Sequence, residues 1–326
     1  MQILDKFFQN KQLYIAWIKL FRLPNLIILA AIFILLHVGV YLPIYASLNI
    51  ESPLSLWVFG IFILSVCLIA AGGNVINDYF DYQIDLINKP QKLVIKKEIP
   101  FQNAMTGYLV LTVAGILGGF LTGWLLGVLK IGFFFGFAAI LLYGYSETFK
   151  RKLLTGNLII AFLGFMSILM LWVIEFFALR NSAGAFVNVF PSFLKINLIM
   201  GGYALFAFLT TLVREIIKDI EDIEGDKVNG CRTLPIATSI HTARLVLFGL
   251  IILMIIVLIP CQIICLGNNM QLLAFYIIPA IQLPFIWLLI RLFKAKSKID
   301  YHVASTSMKW IMLAGILGIQ LVNFHI

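Results

Sequence analysis

Two segments of the chain carry aspartates with the same spacing. In each, three aspartates stand at positions i, i+3 and i+7: Asp78, Asp81 and Asp85 in the first segment, and Asp219, Asp222 and Asp226 in the second. On an α-helix, at about 100° per residue, these positions fall within about 60° of one another on one face. Asn74 and Glu215, each four residues before the first aspartate of its segment, extend that face.

Carboxylates gathered in this way favour a divalent cation as their partner. Like charges three or four residues apart on a helix repel one another, and each carboxylate is disfavoured near lipid. Mg²⁺ suits such a site because it can bind carboxylates on one side and phosphate oxygens on the other. One segment of this kind is compatible with a solvated helix face, whereas two with the same spacing, each at the end of an apolar run, indicate a metal site.

The composition is that of a membrane protein. Of the 326 residues, 62% are hydrophobic and 12% are charged, whereas an ordinary soluble domain is about half apolar and about a quarter charged. The mean hydropathy is +1.02. Long apolar runs, without the alternation typical of a β-barrel, fill nearly the whole sequence. We therefore predict an all-α, polytopic membrane protein with a single transmembrane domain over residues 1–326.

Nine apolar runs reach the length of about 20 residues that a membrane span needs. They cover approximately residues 24–45, 54–76, 103–127, 131–147, 156–177, 194–216, 242–265, 270–292 and 303–324. With the N-terminus in the cytoplasm, 20 Lys and Arg residues fall on the cytoplasmic side and 3 on the other, as the positive-inside rule predicts. This asymmetry explains the net charge of +9 without a nucleic-acid partner.

The same topology locates the polar segments. Residues 77–102 and 217–241, which hold the aspartates, become cytoplasmic loops of a protein in the cell (inner) membrane. Residues 1–22 mix apolar and basic residues, which is typical of an amphipathic helix in the membrane interface. Cys261 and Cys265 stand one helical turn apart, but no histidine or further cysteine accompanies them, so we predict neither a metal site nor a disulfide there.

Four groups of residues resemble the UbiA superfamily of intramembrane prenyltransferases. Asn77-Asp78-x-x-Asp81-x-x-x-Asp85, followed by Asn88-Lys89-Pro90, is similar to its first signature, and Asp219-x-x-Asp222-x-x-Gly225-Asp226 to its second. The family's stretch spanning the fourth and fifth helices is similar to Tyr145-Ser146-x-x-x-Lys150-Arg151 and Gly156-Asn157. The start of its first helix is similar to Arg22-Leu23-Pro24-Asn25. The resemblance covers nearly the whole chain and implies nine helices around a central cavity.

By this resemblance, both aspartate segments hold Mg²⁺ ions that bind the diphosphate of a polyprenyl donor. The metal ions would draw charge from the leaving group as the C1–O bond breaks, and an acceptor would trap the allylic carbocation. The implied metal ligands are Asn77, Asp78, Asp81, Asp85, Asp219, Asp222 and Asp226, with Asp78, Asp81, Asp219 and Asp222 as the catalytic ones. The implied diphosphate contacts are Arg22, Lys92, Tyr145, Lys150 and Arg232, and the weaker candidates are Asn74, Ser146 and Glu215.

Each basic residue also has a simpler explanation, as a positive charge that anchors a helix end at the cytoplasmic side. One segment departs from the family pattern. After Asn88-Lys89-Pro90, many members continue with Arg-Pro-Ile-Pro-Ser-Gly, where this chain has a lysine-rich, apolar stretch over residues 92–97. Lys92 keeps a positive charge, which can meet phosphate as a point charge but not as the bidentate fork of arginine. The shape of this loop and the donor affinity therefore remain open.

The acceptor is also open. Residues 214–226, with Thr233-Leu234-Pro235 after them, are most similar to the branch of the family that prenylates geranylgeranylglycerol phosphate, which we favour. Residues 77–82 also resemble the menaquinone branch, which prenylates dihydroxynaphthoate, and 4-hydroxybenzoate is a third alternative. Two other classes fit less well: a lipid phosphotransferase would carry its aspartates in one continuous segment, and a transporter or channel would place its acids near mid-membrane.

Overall fold

The structure is a computed structural model that describes the backbone of residues 2–322 and the side chains of residues 12–322 other than that of Lys92. Helices make up most of this part of the chain. In order they are α1 (Gln2–Phe21), α2 (Leu23–Leu36), α3 (Leu42–Ser47), α4 (Leu56–Phe80), α5 (Tyr82–Asn88), α6 (Phe101–Leu125), α7 (Gly132–Glu147), α8 (Thr155–Arg180), α9 (Ala183–Val189), α10 (Phe193–Glu221), α11 (Ile223–Val228), α12 (Leu234–Ala237), α13 (Ile240–Gly267), α14 (Gln271–Ile277), α15 (Leu283–Lys294) and α16 (Lys298–Leu317).

Nine helical segments in the described residues are long and apolar enough to cross a membrane. Three of them combine two helices: α2 with α3, α9 with α10, and α14 with α15. The first and third of these pairs are joined by π-helical turns, His37–Tyr41 and Ile278–Gln282. The predicted all-α fold with nine spans is confirmed. The largest difference is in the sixth span, which begins at Ala183 because α9 continues into α10. The orientation of the N-terminus stays a prediction.

The first of two compact units contains the chain up to Ala31, Ser55–Lys150 and Val228–Gly230. In it, α4 packs along α6, and both contact α7. Glycines permit this close approach: a Cβ on Gly72 would lie 2.7 Å from Oγ1 of Thr112, and one on Gly115 would lie 2.8 Å from Cγ1 of Ile69. Small residues at such contacts let the backbones of membrane helices come together.

One side of α1 belongs to this unit and the other is exposed. The buried side joins a small hydrophobic core with α4, α6 and the turn before α6, formed by Ala16, Leu20, Val75, Val94, Ile95, Ile99 and Ala104. Tyr14 and Ile18, on other sides of the helix, are exposed. An exposed apolar side agrees with an interfacial position for residues 1–22, which stays a prediction.

The second unit contains Ile32–Leu54, Arg151–Lys227 and the chain from Cys231 onward. Here α10 packs along α8 and also contacts α13 and α16. The core of this unit is apolar and includes the fully buried Val213 and Ile217 of α10, Leu247 of α13 and Met308 of α16. Because α10 is central to the unit, its C-terminal end, which carries the second aspartate segment, is held by neighbours on several sides.

Candidate active site

The two aspartate segments fold in the same way. The first aspartate of each lies in the last turn of a long membrane-spanning helix: Asp78 in α4 and Asp219 in α10. The third lies within the short helix that follows: Asp85 in α5 and Asp226 in α11. The second aspartate, Asp81 or Asp222, is the single residue between the two helices.

The helical face predicted for the aspartates is interrupted at this second position. The ψ angles of Asp81 and Asp222 are −3° and 9°, so the backbone leaves the α-helical conformation there. Backbone hydrogen bonds nevertheless run on through the junction, from Asp81 N to Asn77 O (2.9 Å) and from Asp85 N to Asp81 O (2.8 Å). The second segment repeats this pattern. The spacing therefore marks a helix–junction–helix unit rather than one straight face.

The first aspartate cluster comprises Asn77, Asp78, Asp81 and Asp85 together with the basic residues Arg22 and Lys150. Nη2 of Arg22 donates to Oδ1 of Asp78 at 2.5 Å. Nζ of Lys150 donates to Oδ2 of Asp81, which also accepts from Nδ2 of Asn77 at 2.7 Å. The structure thus brings two of the four predicted basic residues to the first segment, over separations of 56 and 69 residues.

Local structure explains how Arg22 reaches this cluster. It is the single residue between α1 and α2, and its φ of 56° lies in the left-handed region. Asn74 of α4 donates from Nδ2 to the carbonyl of Phe21 at 3.0 Å, which fixes this break against α4. The amide nitrogen of Asn74, a weaker candidate ligand, therefore serves to place Arg22.

Three predicted residues lie in the last turn of α7 or in the turn that follows it. Lys150 lies in the 3₁₀ turn Phe149–Arg151, and Tyr145 and Ser146 are buried in the last turn of α7. Tyr145 lies near enough to Arg22 and Lys150 to interact with both electrostatically. The hydroxyl of Ser146 donates instead to the carbonyl of Leu142, at 2.8 Å. Tyr145 is thus part of the cluster, and the Ser146 hydroxyl bonds within its own helix.

The charges in the first cluster perturb one another. Desolvation alone would lower the pKa of Lys150, but Asp81, Tyr145 and Asp85 raise it well above its usual range. Desolvation would likewise lower the pKa of Arg22, but its charged neighbours, mainly Asp78, raise it. Desolvation, with repulsion from Asp81, raises the pKa of Asp85 to about 6. Both basic residues are therefore fixed cations, and Lys150 and Lys89 offset only part of the rise in the pKa of Asp85.

The second aspartate cluster comprises Asp219, Asp222 and Asp226 with Asn157, Glu215 and Glu221. Nδ2 of Asn157, in the first turn of α8, donates to Oδ2 of Asp219 at 2.8 Å. Glu215 is paired with Arg214 (2.8 Å) and Lys218 (3.2 Å) on its own helix. Asp226 is buried, and its carbonyl accepts from the backbone nitrogen of Cys231 at 2.9 Å, which closes the loop after α11.

Two contacts of this cluster were missed by the sequence analysis. Asn157 was noted only as part of a family-like stretch, and its pairing with Asp219 spans 62 residues. Nδ1 of His302, in α16, bonds to Oε1 of Glu221 at 2.8 Å over 81 residues. The available signal for Glu221 was an acid next to a predicted ligand, Asp222, whereas no local pattern identifies His302.

Of the two remaining predicted diphosphate contacts, only Arg232 has a described side chain. The backbone nitrogen of Arg232 donates to the carbonyl of Arg151 at 2.8 Å, and the Arg232 residue is exposed. The side chain of Lys92 lies outside the described residues. The segment that departs from the family pattern forms a tight turn. In this turn Lys96 has a φ of 68°, and its backbone nitrogen donates to Ile99 O at 2.7 Å. Buried Val94, Ile95 and Ile99 anchor this turn in place of the family's proline-rich pattern.

The donor atoms of the two clusters suit Mg²⁺. Within the described chain no three His, Cys, Asp or Glu side chains converge into a metal site by themselves. The buried Oδ1 of Asn77, however, has no hydrogen-bond partner and lies one residue from Asp78. Oxygen ligands of this kind are those that Mg²⁺ prefers, with water and phosphate oxygens completing its shell.

A third polar cluster lies far along α8 from Asn157, and sequence reasoning missed it as well. The fully buried carboxylate of Glu175 accepts from the Tyr45 hydroxyl at 2.9 Å and is bonded to Nδ1 of His37. The buried ring of Tyr41 stacks near both His37 and Tyr45. Glu175 follows Asn157 by 18 residues of α8, or about 27 Å. A lone acid within an apolar run was the available signal, because such residues are rare in spans.

Comparison with known proteins relates this chain to one enzyme family. The model of the "UbiA prenyltransferase family" matches residues 40–313. Digeranylgeranylglyceryl phosphate synthase from Methanobrevibacter smithii is 34% identical over 195 residues, which are 58% of this chain and 62% of that protein. The protein of that name from Methanothermobacter thermautotrophicus is 33% identical over 55% of this chain and 56% of its own length. The match therefore spans less than two thirds of these two relatives.

A longer match and two solved structures agree with this relation. The digeranylgeranylglyceryl phosphate synthase of Methanosphaera stadtmanae is 31% identical over 77% of this chain and 82% of that protein. A solved structure concerned with digeranylgeranylglyceryl phosphate synthase has a TM-score of 0.60 at 22% identity, covering 96% and 99% of the two chains. A UbiA homolog from Archaeoglobus fulgidus, bound to GPP and Mg²⁺, has a TM-score of 0.56 at 16% identity, covering 93% and 99%. At these identities the structures establish the fold.

Proposed function

The chain belongs to the UbiA prenyltransferase family, and we propose that it transfers a polyprenyl group from an isoprenoid diphosphate to a membrane-associated lipid, with release of diphosphate. The observation that carries the proposal is the pair of aspartate clusters with the same helix–junction–helix construction. One such cluster could be a local structural feature, but two that repeat the same aspartate spacing and backbone construction are expected of an enzyme that binds metal ions and diphosphate.

We assign the metal ligands to both clusters. Asn77, with its unpartnered oxygen, and the three aspartates of each segment would hold Mg²⁺, which when bound supplies positive charge to the departing diphosphate. Metal binding at Asp78 and Asp81 would compete with their present partners, Arg22 and Lys150. These two side chains would then turn to phosphate oxygens, for which an arginine fork and a lysine ammonium are suited.

The reaction follows from this arrangement of charge. The C1–O bond of the donor breaks, and its electron pair leaves with the diphosphate. A hydroxyl oxygen of the acceptor then bonds to C1 and gives up its proton. Residues 86–102, which contain the anchored turn, and residues 227–241, which contain α12, would cover the site and keep water from the carbocation.

For the acceptor we propose geranylgeranylglycerol phosphate or a close analogue. The support is the name shared by the three relatives described above, together with the similarity of residues 214–226 to that branch of the family. For the location we propose the cell membrane, with both clusters toward the cytoplasm. The support is the distribution of Lys and Arg residues, 20 to 3 in favour of that side.

Purified protein with Mg²⁺, geranylgeranyl diphosphate and a panel of acceptors tests the proposal. The panel should contain geranylgeranylglycerol phosphate, dihydroxynaphthoate and 4-hydroxybenzoate, with diphosphate release and the mass of the product as readouts. We expect Asp78→Ala and Asp219→Ala each to lower turnover by roughly 100-fold or more, as does the loss of other groups that stabilise developing charge. Glu224→Ala, an exposed acid beside the second cluster, should remain active.

Three outcomes separate the parts of the proposal. Product only from an aromatic acceptor would replace the proposed lipid acceptor and keep the prenyl transfer. Diphosphate release that continues undiminished in both aspartate variants would contradict the assigned ligands. No release from any donor in the presence of Mg²⁺ would contradict the proposed function itself.

A further inference from the structure

Glu221 occupies a distinctive position in the second cluster. It is the last residue of α10 and directly precedes Asp222, the junction between α10 and α11. Its carboxylate is buried and is bonded to Nδ1 of His302 at 2.8 Å. Where that carboxylate is ionised it can only accept hydrogen bonds, and Nδ1 is then the donor. A buried carboxylate is costly unless it is bonded, and His302 supplies that bond from a different helix.

His302 is itself held in place. It lies in the second turn of α16, whose start is fixed by a capping box between Ser297 and Asp300. The neighbouring Tyr301 is buried, and its hydroxyl accepts from Nε of Arg244 at 2.7 Å. Arg244 also donates from Nη2 to the carbonyl of Ala295 at 2.5 Å. The imidazole is therefore presented to Glu221 by a turn that is attached to α13.

The first cluster has a matching attachment of different chemistry. Asp78 corresponds to Asp219, so the residue that corresponds to Glu221 is Phe80, the last residue of α4. The Phe80 ring meets the ring of Tyr143, in α7, edge to face with centroids 5.7 Å apart. In both units, then, the residue just before the junction aspartate is attached to a neighbouring helix: by an aromatic pair in the first unit and by an imidazole–carboxylate bond in the second.

We propose that His302 is a positioning residue of the second aspartate cluster. Through Glu221 it fixes the end of α10, and with it the direction in which Asp219, Asp222 and Asp226 extend. This inference rests on the proposed function, because it concerns the metal and diphosphate that the cluster would hold. Some groups orient a metal ligand without binding the metal themselves. Their removal typically changes metal affinity or activity by about 10- to 100-fold.

Substitutions of His302 test this role by geometry. His302→Ala should lower kcat by about 10-fold and raise the Mg²⁺ concentration for half-maximal turnover by a similar factor. The amide nitrogen of asparagine can take the place of Nδ1, whereas glutamine places its nitrogen one carbon further out. His302→Asn should therefore restore most of the Mg²⁺ response, and His302→Gln should not. His241→Ala, an exposed histidine in the first turn of α13, is the matched control and should behave as wild type.

A second readout is independent of the acceptor. Stabilisation of the detergent-solubilised protein by Mg²⁺ with geranylgeranyl diphosphate, measured as a shift in melting temperature, should be smaller in His302→Ala and recover in His302→Asn. Equal Mg²⁺ responses in His302→Ala and wild type, or equal defects in the Asn and Gln variants, would overturn the role of His302. A wild-type protein that shows neither turnover nor stabilisation would instead contradict the proposed function.

Discussion

At the scale of single residues, the clusters contain their own counter-charges. Arg22 is paired with Asp78 and Lys150 with Asp81. In the second cluster, Asp219 is bonded to an amide instead. The two halves therefore differ in charge although they agree in backbone construction.

Asn157 provides a test at this scale. Its Nδ2 bond to Asp219 orients a carboxylate that we assign to the metal, so Asn157→Ala should lower kcat/KM by about 10- to 100-fold. Asn157→Asp should be more damaging, because it places a second negative charge 2.8 Å from the first. Steady-state kinetics at several Mg²⁺ concentrations measure both effects. Asn103→Ala, at an exposed site at the start of α6, is the control, and equal kinetics in Asn157→Ala and this control would refute the assignment.

At the scale of elements, close helix contacts hold the first cluster in place, because α4 carries the aspartates and packs on α6. Gly115 of α6 faces Ile69 of α4, where a Cβ would lie 2.8 Å from Cγ1 and 3.1 Å from the backbone nitrogen. Gly115→Ala should therefore destabilise the protein by about 1–3 kcal/mol, the usual cost of overpacking. Thermal unfolding in detergent measures this, and Gly136→Ala, with no atom within 4 Å of the new Cβ, should not be destabilised.

The polar cluster around Glu175 ties α2, the π-helical turn and α3 to α8. Removing one partner of a buried hydrogen bond typically costs about 1–3 kcal/mol, because the other group stays buried without a partner, and Glu175 has two such partners. Glu175→Ala should therefore lower the melting temperature far more than Glu51→Ala, at an exposed position. Because the cluster lies about 27 Å along α8 from Asn157, turnover at low temperature should survive. A Glu175→Ala protein as stable as Glu51→Ala would mean that the cluster contributes nothing to the fold.

At the scale of the whole molecule, the topology remains to be tested. Single cysteines at Lys97 and Glu224 should react with membrane-impermeant reagents only from the cytoplasmic side, and single cysteines at Glu51 and Lys130 only from the other. All four positions are exposed, so accessibility depends on the side of the membrane. The test needs a variant without the native cysteines Cys67, Cys231, Cys261 and Cys265. Reaction of Lys97→Cys and Lys130→Cys from the same side would contradict nine spans with the N-terminus inside.

The sequence predicted what depends on local pattern and missed what depends on packing. The nine spans follow from apolar length, and the repeated aspartate spacing produced the same backbone unit twice. The bends at Asp81 and Asp222 were not predicted, because a ψ near zero at one residue leaves the spacing of acids unchanged. The Glu221–His302 and Glu175–His37 pairs join residues 81 and 138 positions apart. Such pairs are fixed by how helices dock, which no local pattern encodes.

The backbone at Arg22 carries a wider consequence. A left-handed φ of 56° costs an arginine conformational energy that a glycine would avoid, so the position sacrifices stability for a guanidinium that reaches Asp78. A search for stable variants that scores backbone strain alone would favour glycine here, and under the role that we propose for Arg22 it would select against donor binding. Under the same proposal, relatives that retain activity should retain a cation at this position in spite of its backbone strain.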